Sequence, residues 1–157
     1  MKNKILKKNK DNGFVLLYTM IVSSIILAVA LGIVNVALKE SQFSTSAKAT
    51  NEAFFAADTG AECALFFDKT DPTKNAFTGT AVMNCANNNI VFSSSGSVWT
   101  FSVPYLGDSL NSCANVTLTK DIGITTIISK GYNKANFDGS YCNPTSNSVE
   151  RELKVTY

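Results

Sequence analysis

GFVLLYTMIVSSIILAVALGIVNVAL, Gly13 to Leu38, is one small residue followed by 25 positions without a formal charge, and its reading decides the fold. At about 1.5 Å per residue a helix of that length reaches roughly 37 Å, enough to cross a hydrocarbon core of about 30 Å with some tilt. The segment carries Thr19, Ser23, Ser24, Gly32 and Asn35, small or polar residues that a helix packed on other helices uses readily. Before it, MKNKILKKNKDN sets five lysines against one aspartate. By the positive-inside rule this end stays in the cytoplasm and the remainder is exported.

A secretory signal has the same basic start and apolar run, so the cleavage site separates the readings. Three compete. The chain is cut between Gly13 and Phe14, ahead of the apolar run; or it is cut after the A-x-A sequence Ala28-Val29-Ala30, releasing a domain from Leu31 onward; or it is an uncleaved anchor with its carboxyl end outside.

The helical pattern continues past Leu38. Phe43, Ala47, Phe54, Ala57, Ala61 and Leu65 recur at steps of three, four or seven as one apolar seam, with Glu40, Lys48, Glu52, Asp58 and Glu62 supplying charge. No proline occurs between Phe14 and Asp71, so a single helix from about Phe14 to about Phe67 is expected, roughly 80 Å long at the standard rise. Its first half is apolar all round and its second half amphipathic. Ser41 to Thr50, SQFSTSAKAT, is its weak point, because those hydroxyls compete for backbone hydrogen bonds. Gly60 inside a helix costs about 1 kcal/mol relative to alanine, which points to close packing there.

The first of the three readings carries a resemblance. The lysine-rich leader, Gly13 at the cut, Phe14 after it, and the apolar helix running on into the exported part resemble the type IV pilin family, including the pseudopilins of type II secretion and competence systems. Tyr18-Thr19-Met20 and FFAADTGAECAL, Phe54 to Leu65, look like the start and end of the long helix in a subset of pilin-like proteins. The resemblance implies that a membrane prepilin peptidase cuts after Gly13, that Phe14 becomes N-methylated, and that an assembly machinery moves residues 14–38 from the membrane into a filament core. The family usually has glutamate where this chain has Tyr18. In the family that carboxylate is thought to meet the amino terminus of a neighbouring subunit, and a carboxylate at such depth is costly unless paired. Tyr18 brings no charge, so a minor or tip subunit is expected rather than the bulk one.

The domain layout follows: leader 1–13, transmembrane or filament-core helix 14–38, amphipathic continuation 39–68, exported β-rich domain 69–157. Once leader and anchor are set aside, the exported part is small, and chains of that size often use covalent staples. All four cysteines, Cys63, Cys85, Cys113 and Cys142, follow the anchor, which fits an oxidising compartment and two bridges. Of the three connectivities, Cys63 with Cys85 and Cys113 with Cys142 is preferred because each ties neighbouring segments. The leader holds five Lys and one Asp, so the rest of the chain keeps nine basic and eleven acidic residues, a net side-chain charge of −2. A nucleic-acid surface is not expected from that balance.

Asp71-Pro72 stops the helix, and the composition then turns to Asn, Ser, Thr and β-branched residues. Asn89 to Ser93 and Ser97 to Val103 are predicted strands about the loop Ser94-Ser95-Gly96. Asn115 to Thr119 and Ile124 to Tyr132 flank Lys120-Asp121-Ile122-Gly123, and a shorter strand lies around Thr80 to Asn84. Val149 to Tyr157 alternates most cleanly, with Val149, Leu153, Val155 and Tyr157 on one side. A sheet with one apolar face needs a cover, and the helix seam is the sizeable candidate. The fold class is therefore α+β: a pilin-like chain whose long N-terminal helix, membrane-spanning in its first half, carries an antiparallel sheet on its C-terminal half. Pro104 to Ser112 and Asn133 to Ser148 become exposed loops, the second turning at Asp138-Gly139 and pinned by Cys142.

Histidine is absent, which removes Ser-His-Asp and Cys-His catalysis, and no phosphate-binding loop is present. No enzyme, cofactor or metal is expected. Asn115-Val116-Thr117 matches a glycosylation acceptor but sits in a predicted strand and is read as structural. Trp99 and the tyrosines are assigned to packing ahead of binding. The expected partners are other pilin subunits, the prepilin peptidase, the assembly machinery and the membrane. The expected location is a single-pass inner-membrane protein with an extracytoplasmic carboxyl end, and then a cell-surface pilus.

Overall fold

Among the described residues one long α-helix is followed in chain order by nine strands, and the helix is long because nothing in its sequence interrupts it. A computed structural model describes residues 12–69, 77, 82–139 and 141–157. Helix α1 spans Asn12–Lys69, two residues beyond the expected limits at each end. It runs unbroken through Ser41 to Thr50. The Asp71-Pro72 stop lies outside the described residues.

The chain comprises two compact units, Met1–Ser44 and Thr45–Tyr157. In the first, α1 is exposed almost throughout, and of its large apolar side chains from Phe14 to Leu38 all but the half-buried Val22 are exposed.

In the second unit a five-stranded antiparallel sheet lies on α1. Its strands are β3 (Ser93–Ser95), β4 (Val98–Leu106), β5 (Ser112–Asp121), β6 (Ile124–Tyr132) and β9 (Glu150–Thr156), adjacent in that order. Two further hairpins flank it: β1 (Met83–Cys85) with β2 (Asn88–Ile90), and β7 (Ala135–Phe137) with β8 (Cys142–Pro144). Phe101 and Val103 of β4, Ala114, Val116 and Leu118 of β5, and Ile127 of β6 are buried at the same pleat parity. With Phe77, Met83 and Ile90 they make the core. In β9, Leu153 and Val155 stand opposite Ser129 and Ile127, on the face expected from the alternation.

The face that α1 turns to the sheet differs from the expected seam. Ala57 and Ala61 are buried, but Ala47 is exposed, Phe43 is 76% exposed and Phe54 44%. The buried face is Ala53, Ala56, Ala57, Gly60, Ala61 and Ala64. The reason is clearance. A Cβ on Gly60 would stand 2.8 Å from Val116 Cγ2 and 3.0 Å from Ala114 Cβ, and one on Gly131 would run into the Ala53 carbonyl and the Ala57 backbone nitrogen. Main chain meets main chain here, so large side chains are driven to the far side of the helix.

Strand limits moved for equally local reasons. Asn89 to Ser93 is not one strand: β2 ends at Ile90 and β3 begins at Ser93. The β3–β4 hairpin turns at Gly96-Ser97, where Gly96 has φ 62°, rather than across Ser94-Ser95-Gly96. The third predicted strand extends to Ser112–Asp121, while β6 has the expected bounds. The predicted loop from Pro104 is strand as far as Leu106, with a register shift between Val103 and Leu106. Asn133 to Ser148 holds the β7–β8 hairpin rather than open loop. The short strand near Thr80 is β1, beginning at Met83; residues 80 and 81 lie outside the described set.

The disulfides pair as preferred. Cys63–Cys85 ties α1 to β1 and Cys113–Cys142 ties β5 to β8, each with Cα atoms 6.0 Å apart. In both cases the bridge fastens a hairpin of two three-residue strands, a unit only marginally stable by itself.

Candidate functional site

The first half of α1 carries the chemistry that bears on function, and that chemistry is the removal of polarity. Among the described residues α1 is the one helix long and apolar enough to cross a membrane, and it lies near the N-terminus. Its hydroxyls are turned inward on the helix itself. Thr19 Oγ1 donates to the Leu16 carbonyl at 2.9 Å, Ser23 Oγ to Met20 at 3.0 Å, and Ser24 Oγ to Ile21 at 2.8 Å. A donor satisfied by its own helix removes most of the penalty of carrying a hydroxyl into hydrocarbon.

Gly13 and Phe14 lie in the first turn of α1, and the Phe14 ring is exposed. Tyr18 follows one turn later, also exposed. Further along, Val29, Gly32, Ile33, Val36, Ala37 and Glu40 line a shallow apolar notch, and nothing lies within 4 Å of where a Gly32 Cβ would be. Phe14 and Tyr18 thus stand one turn apart on the exposed start of α1, with Gly13 in the same first turn as Phe14. The four cysteines stand apart from them, in the second unit.

In that second unit three polar arrangements were not legible in advance. Asp68, near the end of α1, has a side chain only 7% exposed and is ion-paired with Lys120 of β5. It also accepts a hydrogen bond from the terminal Tyr157 hydroxyl at 2.7 Å, while Lys69 Nζ sits 3.9 Å above the Tyr157 ring. Burial first, and then this bond to Asp68, raise the Tyr157 pKa above its ordinary range. On the opposite sheet face Lys130 pairs with Glu150 at 3.1 Å and Glu152 at 3.6 Å. The Glu150 contact is the main cause that raises the Lys130 pKa. Both clusters join residues far apart in sequence, so no local pattern marks them.

Asn115 is the third arrangement. Its Oδ1 accepts from the Cys142 amide at 3.1 Å and from Ser102 Oγ at 2.6 Å, and its Nδ2 donates to the Cys142 carbonyl at 3.0 Å. A side chain so engaged on a disulfide-bonded strand is a clamp, in keeping with the structural reading of the Asn115 triplet. Trp99 packs edge-on against Phe77 with centroids 6.0 Å apart. Tyr132 is buried. Tyr105 and Tyr141 are exposed.

Among the described residues no group of three or more His, Cys, Asp or Glu is gathered as a metal site would require. Compared with known proteins, the chain matches no family model, no curated protein and no solved structure.

Proposed function

We propose that this chain is a structural subunit, minor or tip, of a type IV pilus or pseudopilus, processed by a prepilin peptidase after Gly13 and assembled through its amino-terminal helix. The observation that carries the reading is a single helix of two characters. Its first half is exposed, without formal charge from Phe14 to Leu38, and turns three hydroxyls onto its own carbonyls. Its second half is the spine of a disulfide-bonded sheet domain.

The physical logic is exchange of environment. A helix with no charge to bury and its hydroxyls already satisfied trades lipid contacts for helix contacts through van der Waals packing. Tyr18 supports a subunit that no charged register needs to hold, which is why the minor or tip position is favoured.

The test is mass spectrometry of the amino-terminal peptide of native protein from the cell envelope and from sheared surface material. N-methylated Phe14, present in the sheared fraction, is the expected result. A chain starting at Leu31 or at Met1 overturns the proposal in favour of a secreted domain or an anchored surface protein. Replacing Gly13 should leave the precursor uncut, because only this reading depends on that residue.

A further inference from the structure

The end of α1 and the end of the chain meet over one row of the sheet. Lys120 of β5 stands opposite Thr125 of β6, and Thr125 exchanges both main-chain hydrogen bonds with Tyr157, at 2.8 and 3.0 Å. Residues directly opposite one another project to the same face, so Lys120 and Tyr157 flank Thr125 on one side of the sheet. Asp68, in the last turn of α1, bridges them. Its Oδ1 is in direct contact with Lys120 Nζ, and its Oδ2 accepts from the Tyr157 hydroxyl at 2.7 Å.

Little water reaches the carboxyl group. The Asp68 side chain is 7% exposed, and the Trp99 ring centroid lies 5.9 Å from Lys120 Nζ. A carboxylate so enclosed loses most of its hydration, and passing one proton from the ammonium to the carboxylate cancels both charges. An amine is then held against a carboxylic acid by the fold. Groups fixed in contact react with effective molarities of about 10⁵ M or more, which offsets the preference of amines and acids to remain separate ions in water. Lys120 is 31% exposed, which leaves a way out for a small leaving group.

Tyr157 supplies the remaining part. Burial, and then the bond to Asp68, keep its phenol protonated, so it donates to Oδ2 at any physiological pH. A fixed donor aimed at an oxygen that gathers negative charge stabilises the transition state of acyl transfer. The Lys69 ammonium, 3.9 Å above the same ring, adds positive charge on that side.

We propose that Asp68 and Lys120 become joined by an amide bond, made by the folded chain itself with Tyr157 as the catalytic residue. A proton passes from Lys120 Nζ to Asp68 Oδ1, and the freed lone pair attacks Cγ. Negative charge collects on Oδ2 under the Tyr157 hydroxyl. A second proton moves from Nζ to Oδ1, the Cγ–Oδ1 bond breaks, and water leaves. Nothing is oxidised or reduced, and no co-reactant is needed. Neither disulfide joins α1 to the five-stranded sheet, since Cys63–Cys85 reaches β1 and Cys113–Cys142 links β5 to β8. The amide supplies that tie, between the end of the helix and a central strand. It does not depend on the filament reading.

The test is the intact mass of the full chain, extracted from its native envelope in detergent, then reduced and denatured. The expected mass is one water below that required by its mapped termini. A tryptic digest should contain residues 49–69 branched onto residues 75–130, with no cut after Lys120. The full mass in a chain that carried both disulfides overturns the proposal. So does a missing water that maps to Asp138-Gly139, where a succinimide has the same mass loss but reopens in mild alkali. Lys120→Arg keeps a cation beside Asp68 without a primary amine, and should restore the full mass; a water still missing there overturns the assignment to Lys120. In pulse-labelled cells Tyr157→Phe should lose its water about a hundredfold more slowly than the native chain, as when one donor to a developing oxyanion is removed. Coupling at the native rate would overturn the part given to Tyr157.

Discussion

Tyr157 closes the chain onto Asp68, and where Asp68 and Lys120 remain an ion pair the contact has a measurable pH signature. A hydrogen bond to a charged group is worth roughly 1.5–3 kcal/mol. Tyr157→Phe should therefore destabilise the second unit by about 1.5 kcal/mol in chemical denaturation at neutral pH, with Asp68 still paired to Lys120. Burial, together with the Asp68 bond, raises the folded Tyr157 pKa above its unfolded value. The native state thus holds the phenolic proton more tightly than the unfolded chain does. This stabilisation is complete below about pH 10 and declines as pH climbs beyond it. Melting curves from pH 8 to 11.5 should fall more steeply for the native chain than for the phenylalanine variant, and parallel curves would remove Tyr157 as the cause. None of this was readable in the sequence, because the three members lie at positions 68, 120 and 157 and nothing local selects one carboxylate from the others.

At the scale of elements, the helix and the last two strands of the sheet were legible and the contact between them was not. A run without proline and with continuous apolar residues fixes a helix to within two residues. Alternation likewise assigned Leu153, Val155 and Tyr157 to one face. The seam failed because a search for hydrophobic periodicity weights large side chains, whereas the face α1 buries is alanine and glycine, chosen for thinness. Gly60 was the single legible hint. Gly131 is the complement on β6, and its consequence is specific. Gly131→Ala sets a methyl against the Ala53 carbonyl and the Ala57 nitrogen, backbone atoms that cannot rotate aside. Overpacking of this kind typically costs 1–3 kcal/mol, and about 3 kcal/mol is expected here in urea unfolding. Hairpin turns were legible only where glycine marked them. Ile122 and Leu110, which take a left-handed backbone, gave no signal, since neither residue type advertises one.

For the molecule as a whole, the two units differ in what holds them. Residues 45–157 contain the packed core and both disulfides. Expressed alone in an oxidising compartment, this stretch should unfold in one cooperative transition. The bridges close loops of 22 and 29 residues, worth about 3 kcal/mol each in the chain-entropy account. Reduction should therefore lower the midpoint sharply, and an unchanged midpoint would show that the hairpins stand without their staples. Among its described residues the first unit has no buried core. Thr19, Ser23 and Ser24 bond only to carbonyls of their own helix, so the segment carries the same hydrogen-bond inventory whichever surroundings it occupies. For these three hydroxyls, passage between a bilayer and a bundle requires no dehydration. Under the proposed pilus reading, the direction of travel would then be set by shape complementarity and applied work, and such a step would be as readily undone as made.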